Sequence, residues 1–228
     1  MIDQIFPHNR FTLFNDSLVK SFPDEIHNLI EKHKTIISLK KGQTLYHEAS
    51  IPNGVYIIKK GKVKKYITGL NGKEHIFYLV KENGIIGHHT VLNKETHSHS
   101  VSCLTDCTFY LIPKKIFALI LKKNRNILNR LLKSFSHEFD VFIINSKILA
   151  QHSVRERTAI SILKLERFFN ENSSFTLSRK DHSNLIGTSV ESLIRVLSDF
   201  KKEKAIEIDG HSIIIKDSYK LAKATNII

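Results

Sequence analysis

The sequence predicts an α+β protein: an N-terminal β-roll of cupin-like jelly-roll type, then one long helix, then a C-terminal winged helix-turn-helix. Three observations predict it. Short runs rich in Ile, Val, Tyr and Phe follow one another from about residue 35 to 112. A stretch free of Gly and Pro then spans 126–151, with apolar residues at heptad steps. Beyond it, two helix-start signals sit almost back to back around Gly187, with a hairpin signal after them. The parts are placed at 1–125, 126–152 and 153–228.

The strand-like runs are 35–39, 54–59, 63–68, 75–80 and 107–112. Between them fall Lys-Gly pairs and Asn71-Gly72, a strong hairpin signal because both residues tolerate positive φ. Strands so close together favour a barrel or roll over alternating βαβ units. Pro113 then opens a helix, where its missing N–H costs nothing.

In the long helix Leu128, Leu132, Phe135, Phe139, Phe142 and Leu149 follow steps of 4 and 3, with Ser146 in the remaining seat. A seam this narrow suits a partner helix, so the segment reads as a homodimer interface. The alternative is a helix lying on its own β-domain, for which Leu131 and Ile143 stand off the seam. Ser153, with Glu156 three residues on, marks the start of the next helix over 154–169 and a domain boundary. A polar loop at 170–174 follows.

In 178–201, Ser178 with Asp181 begins one helix and Thr188 with Glu191 begins a second. Gly187 supplies the positive φ of a tight turn between them, and Ser183 is small where the helices approach. Leu185, Ile186, Leu193, Val196 and Leu197 supply the shared core. The second helix then presents Val190, Glu191, Ile194 and Arg195, with Ser189 and Ser192 beside them. This size and polarity suit the tip of a major-groove helix. Residues 206–208, Asp209-Gly210 and 212–216 form a hairpin placed as a wing. Ser178, Arg179 and Lys180 are candidates for phosphate contact at a helix N-terminus. Blander readings stand beside these: Glu191 as a capping-box partner only, Arg195 as a solvated cation.

The net charge of +13 favours an anionic partner, nucleic acid first. Yet residues 1–152 carry 22 Lys and Arg against 12 Asp and Glu, while 153–228 carry 13 against 10. The excess, including Lys59, Lys60, Lys62, Lys64 and Lys65, lies mostly away from the motif, so charge does not locate the DNA. No run approaches the length of a membrane span, and residues 1–10 are too mixed for a signal peptide. Two cysteines, Cys103 and Cys107, are too few for a disulfide framework and lead us to expect a reducing cytoplasm.

The stretch Gly-Val-Tyr-Ile-Ile-Lys-Lys-Gly-Lys-Val at 54–63, the long helix and the C-terminal reading head together resemble the Crp/Fnr family of transcription regulators over nearly the whole chain. Residues 189–195, Ser-Val-Glu-Ser-Leu-Ile-Arg, are similar to an Fnr-type recognition helix. The resemblance implies that Glu191 and Arg195 contact base edges, and that RNA polymerase is a partner. A carboxylate accepts from cytosine N4, and Arg forks onto guanine O6 and N7. Ile194 stands where the Fnr pattern has Ser, which alters the half-site.

Cyclic-nucleotide-binding relatives carry Gly-Glu, then Arg-Ser/Thr-Ala about a dozen residues later. Here Gly84, Gly87 and Ser98 match, but His88 stands at the Glu position and His97 at the Arg position. A neutral imidazole cannot fork onto a phosphate, so binding of cyclic AMP in the family's manner is not expected. Gly87, His88, His89, His97, Ser98 and His99 would line the effector pocket. His97 and His99 would share a strand face. A haem or metal sensor is one alternative, although the spacing matches no standard motif; another effector, or none, is the other. The iron–sulfur sensor of Fnr-type proteins needs an N-terminal cysteine cluster, and no Cys precedes Cys103, so that sensor is not expected.

The leading reading is a homodimeric regulator on a palindromic site, with no cofactor assigned. A second is a ligand-binding module whose winged helix contacts protein. An enzyme finds no support, because the chain lacks a nucleophile–base pair, a Gly-rich phosphate loop and a His-Glu metal motif.

Overall fold

The computed structural model describes residue 19 and residues 22–169 and 173–227; the readings of residues 1–10 and of loop positions 170–172 lie outside these. Among the described residues the chain divides into two units, one of 19–67 with 77–139, the other of 68–76 with 140–227.

The first unit begins with α1 (Asp24–His33), which has Asp24 and Glu25 in its first turn and Lys32 and His33 in its last. This order complements the helix dipole. Then follow β1 (Thr35–Leu39), β2 (Thr44–Tyr46), β3 (Gly54–Lys60), β4 (Val63–Thr68), β5 (Glu74–Val80), β6 (Ile85–Ile86), α2 (His88–Asn93), β7 (Ser100–Cys103), β8 (Cys107–Pro113) and α3 (Lys114–Lys123). Two four-stranded sheets result, in the orders β1-β8-β3-β6 and β2-β7-β4-β5. Their strands pair antiparallel, as in Thr35 with Leu111, Val55 with Ile112 and Val63 with Cys103. This is the roll expected from the strand spacing.

β2, β6 and β7 have no counterpart among the runs read from the sequence. They are two to four residues long, too short for a period-2 pattern to stand out. Pro113 takes the N-cap of α3, one residue ahead of the helix proper. Val55, Ile57, Ile85 and Ile112 of the roll pack with Ile26 and Ile30 of α1, Phe117 and Ile120 of α3, and Ile127 and Leu131 of the next helix.

That helix, α4 (Arg125–Gln151), carries two heptad lines side by side. One, at 127, 131, 134, 138, 141, 145 and 148, turns inward: Ile127, Leu131, Ser134, Val141 and Ile148 are buried. The other is the seam read from the sequence, one residue or about 100° further round. Leu132 is 55% exposed and Phe139 66%, and Leu128, Phe142 and Leu149 are exposed as well. Phe135 departs from this pattern and packs partly onto the roll core. Ile143 does not serve the core as Leu131 does. It lies two positions past the inward Val141, on the far side of the helix, and is 53% exposed.

The second unit contains α5 (Val154–Phe169), β9 (Ser174–Thr176), α6 (Arg179–Ile186), α7 (Val190–Lys202), β10 (Ile206–Asp209), β11 (Ser212–Ile215) and α8 (Ser218–Lys223). The Ser153 capping box is formed: its N–H donates to Glu156 Oε2 at 2.6 Å, and its Oγ accepts from Glu156 N–H. α5 is buried nearly all round, which explains the mixed apolar spacing. Ser174 ends no loop; it opens β9, which pairs with β11 to give the order β10-β11-β9. β9 has one core residue, Phe175, and so leaves no pattern to read. α5, α6 and α7 enclose Ile160, Leu163, Ile186, Leu193, Leu197 and Phe200.

Gly187 ends α6 at φ 68° and ψ 47°, with its N–H on Ser183 O. A Cβ there would meet Leu149 Cδ2 at 2.9 Å. Gly187→Ala is therefore expected to lower stability by about 1–2 kcal/mol. The check is urea denaturation, with the midpoint falling and the slope unchanged.

Candidate nucleic-acid interface and roll pocket

In the helix pair, α6 starts at Ser178, whose Oγ accepts from Asp181 N–H at 2.9 Å. Arg179 is half-buried and donates to two wing carbonyls, His211 O at 3.2 Å and Gly210 O at 3.1 Å. Lys180 is exposed. The buried His182 imidazole lies 2.6 Å from Ser161 Oγ, which in turn donates to Thr158 O. The chain of bonds makes His182 the donor through Nε2 and joins α5 to α6.

The cap of α7 is Ser189, not Thr188. Ser189 Oγ accepts from Ser192 N–H at 3.1 Å, while Thr188 is buried and donates its N–H to Ser183 O. The physical reason is the left-handed Gly187, which turns the chain so that one further extended residue precedes the helix. Glu191 therefore does not close a box with Thr188. It sits in the first turn, fully exposed, and backbone and Ser189 hydrogen bonds hold its carboxyl below the ordinary range. The helix dipole acts in the same direction. Ser189, Glu191, Ile194 and Arg195 are exposed, and Val190 and Ser192 half-buried, opposite the buried Leu193, Leu197 and Phe200.

In the roll, Gly87 holds φ 77° at the start of α2, so His88 and His89 open a short helix. His97 and His99 do not alternate along a strand as expected; both precede β7. They still converge, because each meets Tyr46. The His97 ring stacks on Tyr46 at 3.7 Å, and Tyr46 Oη lies 3.3 Å from His99 Nε2. His89 stacks with His99 at 5.1 Å and meets His88 edge-on at 5.3 Å. Ser98 is exposed at the rim, its Oγ 3.2 Å from His99 Nδ1.

Burial, with repulsion from Lys65, brings His88 and His89 down to about 3 and His99 to about 2. Burial and then Lys114 bring His97 to about 4. All four are neutral at pH 7. Cys103 and Cys107 are buried and free. Among the described residues no group of three or more His, Cys, Asp or Glu side chains is arranged to hold a metal ion.

Two charged residues inside the roll escaped the sequence reading of the pocket. Lys65, counted there with a basic cluster, is 1% exposed, with its Nζ 3.6 Å from Glu138 Oε2 and 4.9 Å from the centre of the Tyr78 ring. Glu138 comes from the inward line of α4, and its Oε1 lies 4.0 Å from His88 Nε2. A signal existed: Lys65 alternates with Val63 on one face of β4.

A roll of this topology, followed by a helix-turn-helix and wing, is the architecture of a DNA-binding regulator, and comparison with known proteins makes the class specific. Residues 36–124 match the family description "Cyclic nucleotide-binding domain", and residues 156–224 match "Crp-like helix-turn-helix domain". The anaerobic regulatory protein of Haemophilus influenzae is 25% identical over 208 residues, covering 89% of this chain and 79% of that one. The fumarate and nitrate reduction regulatory protein of Escherichia coli is 25% identical over 206 residues, covering 88% and 81%. Among solved structures, FixK2 from Bradyrhizobium japonicum superposes with a TM-score of 0.76 at 18% identity, over 84% of this chain and 96% of that one. A CooA mutant from Carboxydothermus hydrogenoformans gives 0.74 at 18%, over 96% and 99%. The chain belongs to the Crp/Fnr family of transcription regulators. It is a DNA-binding regulator and not an enzyme. No helix among the described residues is long and apolar enough to cross a membrane.

The buried imidazoles couple stability to pH. Their folded pKa values, and that of His182 at about 3, lie below the roughly 6.5 of an unfolded His. The unfolded chain therefore takes up protons first as pH falls below about 6.5, and stability is lost progressively from there down to about pH 3, where the folded imidazoles also protonate. Each fully buried imidazole costs up to about 2 kcal/mol by pH 5. Thermal scans from pH 8 to pH 5 should show a flat Tm and then a steep fall, and His88→Phe should make that fall shallower.

Proposed function

We propose that the chain works as a homodimer whose two recognition helices enter successive major-groove faces of a palindromic DNA site, about one helical turn apart. The observation that carries this reading is the double character of α4. One heptad line is spent on the chain's own cores, while Leu128, Leu132, Phe139, Phe142 and Leu149 face outward in a second. An apolar stripe left in water is a cost that a second copy removes by coiled-coil packing. Two-fold symmetry of the pair then requires a two-fold symmetric site.

Within each half-site Glu191 and Arg195 read base edges, and Ser189, Val190, Ser192 and Ile194 shape the contact. Ser178, Arg179 and Lys180 stand beside the phosphates. The exposure of Ser189, Glu191, Ile194 and Arg195 on one face of α7, and of Lys180 in the first turn of α6, supports this assignment. RNA polymerase is the further partner that family membership suggests. The roll is the effector pocket, and its effector is not cyclic AMP: the neutral His97, stacked on Tyr46, stands where the family's guanidinium would neutralise a phosphate. An effector acts by moving α4 and with it the spacing of the two reading heads.

Arg195→Ala should weaken binding to a site selected in vitro by about 10- to 100-fold, read by fluorescence anisotropy at fixed salt. Unchanged affinity would remove Arg195 from the reading set. Lys180→Ala should weaken all duplexes alike and make the salt dependence shallower. Phe139→Glu should give a monomer in sedimentation velocity and, by losing the second reading head, lose high affinity for the palindrome.

A further inference from the structure

The two cysteines of the chain stand apart from the helix pair and from the outward face of α4, yet they are neighbours in space. Cys103 ends β7 and Cys107 begins β8, with Leu104, Thr105 and Asp106 as the turn between them. That turn wraps the Lys62 peptide: Leu104 N–H donates to Lys62 O at 2.8 Å, and Lys62 N–H donates to Thr105 Oγ1 at 2.9 Å. The strand ends are thereby held close, and the Cys103 thiol hydrogen-bonds to Cys107. Cys107 Sγ also lies 3.2 Å from Thr105 O and 3.4 Å from Lys62 O. Both cysteines are 3% exposed. The cover over Cys107 is the turn between β3 and β4, where a Cβ on Gly61 would come within 2.6 Å of Sγ. This turn lies at the surface, with Lys60 exposed and Gly61 and Lys62 half-buried.

We propose that Cys103 and Cys107 are a modification site that closes to a reversible disulfide with hydrogen peroxide, Cys107 reacting first and Cys103 resolving. The hydrogen bond between the thiols makes them unequal. As its acceptor, Cys107 has its pKa brought down to about 7 against the effect of burial, whereas the donated bond and burial raise that of Cys103. The thiolate is the reactive form, so Cys107 is the nucleophile and Cys103 already points at it as the second thiol.

In the first step the Cys107 thiolate attacks one peroxide oxygen. An S–O bond forms, the O–O bond breaks, and the departing hydroxide takes up a proton to become water. Cys103 then attacks the sulfenic sulfur. The S–S bond forms, the S–O bond breaks, and the hydroxyl leaves as a second water with the Cys103 proton. The two thiols are oxidised and one peroxide is reduced. Burial decides the oxidant: a water-sized peroxide passes a surface turn, whereas glutathione disulfide must bring its own sulfur onto Cys107 and meets the Gly61 backbone. The product ties the sheet β2-β7-β4-β5 to the sheet β1-β8-β3-β6 at one end of the roll.

The test treats the full, reduced chain with hydrogen peroxide, alkylates residual thiols in denaturant, and counts them by intact mass. The parent should lose both alkylatable thiols and the mass of two hydrogens, run as a single chain on a non-reducing gel, and recover both thiols with dithiothreitol. Cys103→Ser should form no disulfide and should accumulate a Cys107 sulfenic acid that dimedone captures. Cys107→Ser should lose its remaining thiol at least about tenfold more slowly than Cys103→Ser does. Glutathione disulfide should leave the parent's thiols intact over the time in which peroxide removes them. The proposal is overturned if the parent keeps both thiols in peroxide that oxidises free cysteine, if the disulfide joins two copies, or if Cys107→Ser reacts as fast as Cys103→Ser. Closure by glutathione disulfide as readily as by peroxide overturns the assignment of the oxidant. The parent alone reports the disulfide, so the central outcome stays readable even with a variant that does not fold.

Discussion

A single backbone conformation, the left-handed turn at Gly187, fixes where the second helix of the reading pair begins and what it shows to the outside. From it follow the burial of Thr188, the transfer of the cap to Ser189, and the rotation of α7 that sinks Leu193, Leu197 and Phe200 while leaving Glu191, Ile194 and Arg195 in solvent. The neighbouring helix supports this turn at both ends. Ser183 takes the Gly187 and Thr188 amides, and His182 is bonded to Ser161 of α5. The polar outer face of α7 is thus set by a hydrophobic triangle and one glycine.

α4 shows how one helix can meet several demands at once. Its inward line mixes Ile127, Leu131, Val141 and Ile148 with Ser134, Glu138 and Asn145, and the polar members are engaged rather than stranded. Glu138 faces Lys65, and Asn145 accepts from Lys164. Its outward line is almost wholly apolar. In the roll the imidazoles of His88, His89, His97 and His99 are neutral, and the interior charges lie on Lys65 and Glu138. Burial keeps the imidazoles neutral, and the ammonium beside three of them reinforces it.

Much of this was legible in the sequence because it is written in local patterns. The five longer strands, the seam, the capping pairs Ser178-Asp181 and Ser153-Glu156, and the wing each carry a period or a turn signal. Features without one stayed hidden. β2, β6, β7 and β9 are too short to alternate. Thr188 and Ser189 are chemically equivalent as caps, so only the geometry after Gly187 decides between them. The spacing of His97 and His99 suggests a strand, but the chain is irregular there and Tyr46 gathers them instead. Lys65 and Glu138 are 73 positions apart, and nothing local announces a pair made by packing a helix on a sheet. Ser134, Glu138 and Asn145 also break up the inward heptad line, so the seam was read and its companion was not.

The bond between Arg179 and the wing has a consequence for how the reading head tolerates change. By holding the carbonyls of Gly210 and His211, one guanidinium fastens the hairpin tip to the first turn of α6. The start of α6, the hairpin tip and, packed beside them, α7 are thereby locked into one tripod. Loosening any leg would tilt the other two. Mutational drift in the wing should then surface as blurred discrimination between related operators, even where no wing side chain meets a base.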